Sequence, residues 1–210
     1  MRRDVLLRWL ERGLLAIGGV LAVWCAVVLI EARYTNNLPV PSAKPAPSLP
    51  GDTGSPAPTP SRGAWLARIE APSVDMSATV LEGTDDGTLS RGAGHIEETP
   101  IPGQPGNVGI AGHRDTVFRP LRHIHVGDAL NVTTSDHVYR YRVARTSIVG
   151  PDDVYVLDPT REPTLTLVTC YPFEFVGHAP RRFIVQAQLA SEEARAPGAG
   201  EAGLAGKAGR

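Results

Sequence analysis

Residues 164–170 read TLTLVTC, and residues 181–190 read RRFIVQAQLA. Apolar side chains recur at every second position in both runs, which predicts β-strands because successive side chains of a strand point to opposite faces. In the first strand the leucines mark the core face, so Cys170 points the other way. The same alternation in the second strand places Arg182 on the face opposite its core residues.

The chain before these runs has the same short, β-like pattern. Turns rich in Gly, Pro, Asp and Ser separate the segments. The earlier predicted strands cover residues 65–70, 78–82, 107–113, 128–133 and 137–146. Closing such a sheet on itself removes its exposed edges, so the sequence predicts an all-β fold, a closed or nearly closed barrel with short helical turns.

The N-terminal part of the chain has a different composition. Residues 14–30 are apolar and uncharged and follow several arginines, which predicts one uncleaved transmembrane helix with a cytoplasmic N-terminus. A cleaved signal peptide is the alternative. A proline-rich segment, typical of an extended tether, comes next. The predicted organisation is a cytoplasmic N-terminus (1–12), a transmembrane anchor (13–31), a linker (32–61), an exported domain (62–190) and a disordered Ala/Gly-rich tail (191–210).

Charge and cysteine content narrow the class of protein. The 21 Lys and Arg side chains against 22 Asp and Glu leave no broad basic surface for a phosphate backbone, so no nucleic-acid partner is predicted. Cys25 lies in the predicted anchor. Cys170 is therefore the only cysteine of the exported domain, and it cannot form an intrachain disulfide there.

Three side chains of the exported domain have complementary chemistry. His113 ends the strand predicted at residues 107–113 and points outward, as Cys170 and Arg182 do. A thiolate attacks an amide, an imidazole transfers the proton to the leaving amine, and a guanidinium stabilises an oxyanion. We therefore predict that Cys170, His113 and Arg182 meet in one surface groove as a catalytic set.

The segments that carry these residues resemble the sortase family: VGIAGHRDTVFRPL (108–121), TLVTCYPF (166–173) and APRRFIVQA (179–187). The resemblance covers essentially the whole exported domain and looks most like class D or related sortases. Sortases are membrane-anchored cysteine transpeptidases built on an eight-stranded β-barrel. The resemblance therefore implies a closed eight-stranded barrel that is held outside the cell membrane by a single N-terminal helix.

The resemblance also assigns roles to individual residues. Cys170 corresponds to the nucleophile and His113 to the general acid/base. Arg182 corresponds to the partner of the oxyanion and of the substrate backbone; Arg181 is the alternative, which strand alternation disfavours. We also expect substrate contacts from residues near the cysteine, namely Thr169, Ala111, Val168 and Ile184. The Thr169 hydroxyl can instead orient the loop.

The resemblance further implies a reaction and its partners. Family members cleave secreted proteins between Thr and Gly of a C-terminal sorting signal of the Leu-Pro-x-Thr-Gly type. An amine on a cell-wall precursor, or on another protein such as a pilin lysine, then resolves the thioester. This chemistry requires no cofactor, because the thiol itself carries the acyl group.

Metal binding has weak support in the sequence. The segment 149–163 lies where sortases keep a substrate-recognition loop, and its acids can bind calcium, as they do in some sortases, although a solvated loop is the simpler interpretation. A pair of histidines has a metal-compatible spacing but no third ligand nearby, so no metal site is predicted. The residues concerned are Asp152, Asp153 and Asp158, and the pair His123 and His125.

Two alternative functions stay open. An L,D-transpeptidase is also an exported cysteine enzyme, but its family places glycine and serine before the cysteine, where this chain has Val168 and Thr169. A membrane-tethered β module without activity would keep the barrel alone. The presence of Cys170, His113 and Arg182 argues against that second alternative.

Overall fold

A computed structural model describes residues 2–36, 60–175 and 177–195. They divide into an N-terminal helix and a β domain. Helix α1 covers Arg2–Asn36 and so continues past residue 31, where the anchor was expected to end. Among the described residues, no helix combines the length and the hydropathy needed to cross a membrane. The anchor at residues 13–31 stays a prediction, and residues 37–59 of the linker lie outside the described ranges.

The β domain is a closed barrel of eight strands, in the order β1-β2-β3-β4-β7-β8-β6-β5. The strands are β1 (Trp65–Ala71), β2 (Met76–Glu82), β3 (Ala93–His95), β4 (Asn107–Gly112), β5 (Ala129–Thr133), β6 (His137–Val149), β7 (Thr164–Tyr171) and β8 (Arg181–Ala194). β2 pairs with β3, and β4 with β7, in parallel; the other neighbours are antiparallel. The predicted closed eight-stranded barrel is confirmed.

Two differences from the sequence prediction have simple physical causes. β3 contains 3 residues, too few for an alternating pattern to show. β8 continues past residue 190 to Ala194, so the predicted start of the tail at residue 191 is wrong. The extension pairs with the first residues of β6, and Glu193 forms an ion pair with Arg140. Charged side chains on this last part hid the strand, and residues 196–210 lie outside the described ranges.

The interior of the barrel is apolar, as the alternation of the strands requires. Both leucines of the TLTLVTC run are fully buried there, and the inward residues of β8 pack against them. Burial in this core raises the pKa of Tyr141 to about 12. The largest fully buried side chains include Ile69, Ile110, Phe118, Leu130, Leu165 and Leu167.

A second, smaller apolar cluster lies on the outer face of the sheet. The connection between β6 and β7 (residues 150–163) contains a 3₁₀ turn, Val154–Leu157. Val156 of this turn is buried against Val149 and Ile184. The connection therefore covers the outer face of β8 next to the cysteine strand.

Buried polar side chains hold this turn in place. The Asn107 and Gln186 side-chain amides each donate a hydrogen bond to the Val156 carbonyl, both at 3.0 Å. The Thr166 hydroxyl donates to Asn107 Oδ1 at 2.7 Å and accepts from Gln186 Nε2 at 3.3 Å. Both amides thus donate to the same carbonyl of the turn, which fixes the turn on β4, β7 and β8.

The connection between β3 and β4 is anchored by a buried histidine. His95 is 1% exposed, and its Nε2 donates to the Pro100 carbonyl at 3.0 Å, since a carbonyl can only accept. Its Nδ1 lies 2.9 Å from Glu82 Oε2. The Thr99 hydroxyl accepts the Gly109 N–H at 2.9 Å. This network fastens the connection to both β2 and β4.

Candidate active site

The register of three adjacent strands brings the predicted catalytic residues into one row. Cys170 of β7 is paired with Arg182 of β8. On the other side of β7, Thr169 is paired with Gly112, the last residue of β4, so His113 leaves the sheet beside Cys170. Neighbouring strands lie about 4.8 Å apart. Cys170 therefore stands in the middle of the row, between an imidazole and a guanidinium.

The three side chains are open to a substrate. His113 is exposed, and Cys170 and Arg182 are half-buried. Strand alternation explains the exposure of the cysteine, because its neighbour Thr169 points into the barrel. The strand register places the three positions side by side, while the groove and their chemical roles stay predictions.

A tight turn fixes the place of His113. The backbone N–H of Phe118 donates to the His113 carbonyl at 3.1 Å, and the Phe118 ring is fully buried. A Cβ atom at Gly112 would lie 2.7 Å from that ring, closer than van der Waals contact allows. Gly112 is therefore required for the chain to turn over Phe118 and present His113 beside the cysteine.

Arg182 is oriented by the chain that precedes it. Its Nη1 donates to the carbonyls of Ala179, at 3.2 Å, and Arg181, at 3.1 Å. Its Nε and Nη2 donate to no residue that the structure describes, so they are available to an oxygen of a bound substrate. Arg181 is exposed and pairs with Tyr171 instead of the cysteine. The geometry therefore favours Arg182 over Arg181, as strand alternation predicted.

Two of the four expected substrate contacts are buried and need correction. Thr169 is 2% exposed, and its hydroxyl donates to the Gly112 carbonyl at 2.7 Å. It joins the ends of β4 and β7 inside the barrel, which is the orienting role that the sequence left open. Ile184 is 1% exposed because the 3₁₀ turn Val154–Leu157 covers it. Neither residue is accessible to a substrate.

The other two expected contacts lie on the accessible face. Ala111 and Val168 are paired with each other on β4 and β7, and both are half-buried. Gly109, on the same face of β4, is covered: a Cβ there would lie 2.9 Å from Leu157 and 3.1 Å from Ile96. Ala111 and Val168 therefore form the open floor next to the cysteine, and their contact with a substrate stays a prediction.

Two of the side chains considered for metal binding have other partners. Asp153 accepts a hydrogen bond from the Gly150 N–H at 2.7 Å, and Arg122 Nε donates to His123 Nε2 at 2.9 Å. Within the described ranges, no three His, Cys, Asp or Glu side chains are placed to hold a metal ion.

Sequence reasoning missed Arg114, which follows His113. Its guanidinium donates to three backbone carbonyls of the connection between β7 and β8, those of Pro172, Phe175 and Gly177. It also lies 5.8 Å from the centre of the Phe175 ring. No pattern in the sequence predicts these hydrogen bonds, because their acceptors are backbone carbonyls, which every residue has.

Comparison with known proteins agrees with this geometry. Residues 69–190 match the family model described as a sortase domain. Sortase D of Bacillus subtilis (strain 168) is 37% identical over 118 residues, which cover 56% of this chain and 60% of the relative. Sortase A of Listeria monocytogenes is 31% identical over 134 residues, which cover 62% and 59%. The chain thus spans about three fifths of the length of these curated relatives.

Solved structures show the same architecture. A Clostridium perfringens sortase D5 transpeptidase has 31% identity and a TM-score of 0.58, with 63% of this chain and 82% of that chain covered. Listeria monocytogenes sortase A has 28% identity and a TM-score of 0.59, with 63% and 92% covered. The sortase D relatives in both comparisons fit the class D features of the sequence. Since the family model matches more than half of its length, the chain belongs to the sortase family.

Proposed function

We propose that this chain is a cysteine transpeptidase. It cleaves a sorting signal of the Leu-Pro-x-Thr-Gly type between Thr and Gly and transfers the threonyl carbonyl to an amine. The observation that carries the proposal is the row formed by His113, Cys170 and Arg182 on three adjacent strands. It supplies a proton-transfer group on one side of the nucleophile and a cation on the other.

The reaction has two halves. Cys170 Sγ attacks the threonyl carbonyl as its proton passes to His113, the C–N bond to glycine breaks, and His113 gives that proton to the departing amine. The acceptor amine then attacks the thioester and passes its proton to His113, and the C–S bond breaks to regenerate the cysteine. In both halves the free nitrogens of Arg182 stabilise the oxyanion on the carbonyl.

Transfer requires that the acceptor amine reach the thioester before water does. A groove that excludes water from the carbonyl favours aminolysis. The floor formed by Ala111 and Val168 is apolar, and the β6–β7 and β7–β8 connections border it. We propose that the substrate backbone lies on this floor as its scissile bond meets Cys170. The chemistry needs no cofactor, and calcium addition against a chelator tests whether the ion contributes.

Partners and location are proposed from the sequence and the family. The substrates are secreted proteins with a C-terminal sorting signal, and the acceptor is the amine of a cell-wall precursor or a pilin lysine. We propose that residues 13–31 hold the chain at the cell membrane with the β domain outside. Carbonate extraction of membranes, with protease accessibility of the β domain in intact cells, tests both points.

The test of activity uses the full chain, a panel of Leu-Pro-x-Thr-Gly peptides and triglycine. We expect ligated product that joins threonine to triglycine, none with Cys170→Ala, and at least about a hundredfold less with His113→Ala. Full activity in either variant contradicts the assignment. Reaction with peptidoglycan stem peptides instead supports an L,D-transpeptidase. A folded chain with a reduced Cys170 that converts no peptide supports a β module without activity.

A further inference from the structure

The connection between β7 and β8 (residues 172–180) joins the strand of the nucleophile to the strand of Arg182. Its first residue follows closely after Cys170, and the Ala179 carbonyl near its end accepts a hydrogen bond from Arg182. The course of this connection therefore affects both catalytic side chains. A contact that fixes the connection therefore also fixes the position of Cys170 relative to Arg182.

The Arg114 guanidinium forms hydrogen bonds with three carbonyls of this connection. Arg114 Nη1 donates to the Pro172 carbonyl at 3.1 Å. Its Nη2 donates to the carbonyls of Phe175, at 2.7 Å, and Gly177, at 3.0 Å. The three acceptors are spread along the connection, so a single planar group fixes its path.

Arg114 is also the residue after His113. The turn from His113 to Phe118 is anchored by a buried ring, so the backbone on which Arg114 stands is firmly placed. The hydrogen bonds of Arg114 therefore join two segments. One is the turn that begins at His113, and the other is the connection between the strands of Cys170 and Arg182.

Other side chains also reach this connection, but their contacts do not replace that of Arg114. Phe173 packs edge-on against Phe183 at 5.4 Å between ring centres, which fixes only the start of the connection. Arg122 Nη1 donates to Glu174 at 2.7 Å, but the Glu174 side chain is 74% exposed. An exposed ion pair of this kind contributes little to holding a chain.

We propose that Arg114 is a positioning residue for the reaction at Cys170. It ties the β7–β8 connection to the turn that carries His113 and so keeps His113, Cys170 and Arg182 in their row. The inference rests on the proposed transpeptidase function. Arg114 acts through these neighbours, and a misplacement of about 1 Å in such a set lowers turnover by about a hundredfold.

The experiment compares Arg114→Ala, Arg114→Lys and the matched control Arg122→Ala in the full chain. Both arginines lie between β4 and β5 and donate to the β7–β8 connection, but only Arg114 binds its backbone carbonyls. For Arg114→Ala we expect kcat to fall by about 10- to 100-fold at a temperature where thermal melting shows a folded β domain. Arg122→Ala should stay within about threefold of the parent. Arg114→Lys should recover little, because an ammonium cannot reach three carbonyls with a planar fork.

A second measurement separates positioning from a general loss of stability. The rate at which iodoacetamide alkylates Cys170 is followed by mass spectrometry as a function of pH. If Arg114 positions His113 beside the thiol, the pH profile of Arg114→Ala should approach that of His113→Ala, while Arg122→Ala keeps the parent profile. A variant that is merely less stable, yet still folded at the assay temperature, would keep the parent profile too.

The outcomes are distinguishable. If the parent chain transfers peptides and Arg114→Ala matches Arg122→Ala in kcat and in alkylation profile, the role of Arg114 is overturned and the proposed function stands. If the parent chain acylates with no peptide, the proposed function fails. The alkylation profiles then still decide about Arg114, because they require no substrate.

Discussion

The two connections that precede and follow β7, the strand of Cys170, are fixed to the barrel in different ways. The β6–β7 connection is held by neutral amides, Asn107 and Gln186, which are buried beneath it and donate to the Val156 carbonyl. The β7–β8 connection is held by the charged, half-buried guanidinium of Arg114. The first connection is therefore held by buried side chains, and the second by a half-buried side chain near the surface.

The difference in burial between these side chains predicts a different effect when each is removed. A buried amide makes hydrogen bonds that water cannot replace when the amide is removed, so the cost falls on folding. When the Arg114 guanidinium is removed, water can solvate the freed carbonyls, and the cost falls on the position of the connection. Loss of the first should lower stability, and loss of the second should lower turnover.

The largest expected change in stability comes from Gln186→Ala. It removes the bonds from Nε2 to the Val156 carbonyl and to Thr166, removes the oxygen that accepts a bond from Arg145 Nε, and leaves a cavity under the 3₁₀ turn. We expect the free energy of unfolding to fall by roughly 2–4 kcal/mol in urea titration. The matched control is Gln188→Ala on the same face of β8, whose exposed amide contacts only Glu162 among the described residues. An equal loss in both variants would contradict a buried anchor.

Thr169→Val probes the hydrogen bond between the ends of β4 and β7, and its expected effect on stability is of intermediate size. Valine keeps the shape of threonine but removes the hydroxyl that donates to the Gly112 carbonyl. We expect a loss of about 1–2 kcal/mol in unfolding free energy, with lower peptide turnover because the ends of β4 and β7 carry His113 and Cys170. Thr146→Val, on an exposed position of β6, should change stability by less than about 0.5 kcal/mol. Unchanged stability and turnover in Thr169→Val would show that the bond is dispensable.

The smallest effect on stability is expected from the exposed helix cap Asp85, which lies outside the site. Asp85 caps helix α2 (Asp86–Leu89) and accepts bonds from the Thr88 hydroxyl, at 2.8 Å, and the Thr88 N–H, at 3.1 Å. These bonds lower the pKa of Asp85 below its ordinary 3.8. A lowered pKa in the folded state stabilises the fold above the unfolded value, and this contribution is lost as pH falls through the folded value.

Asp85→Ala should accordingly lower Tm by about 2–4 °C at neutral pH. The difference from the parent should shrink once the pH drops well below 3.8, where the carboxyl of the parent is protonated in both states. Melting curves across the acid range measure it. A difference that grows on acidification would contradict the assigned direction of the shift.

Much of the fold and the site was readable from alternation in the sequence. The pattern of residues 164–170 correctly placed the leucines inside the barrel and Cys170 outside, and that of residues 181–190 placed Arg182 opposite its core face. These predictions succeed because a strand has only two faces. Their limit appears at Thr169 and Ile184, where alternation gives the face of a residue but not what covers it.

The side chains that hold the connections in place could not be predicted from the sequence. Gln186 reads as an outward polar residue of β8, and only the 3₁₀ turn above it makes it buried. Arg114 bonds to backbone carbonyls far away in the chain, which leave no trace in residue types. Glu82 and His95 form their buried contact only because the short strand β3 lies beside β2. Each depends on tertiary packing and not on local pattern.

The most direct test of the transpeptidase assignment is the intact mass of the full chain after brief exposure to a Leu-Pro-x-Thr-Gly peptide without an amine acceptor. The assignment predicts a mass increase equal to the peptide fragment that ends in threonine, mapped to Cys170, absent in Cys170→Ala and discharged when triglycine is added. A chain whose Cys170 is reduced and alkylatable, yet forms no adduct with any peptide of the panel, would contradict it.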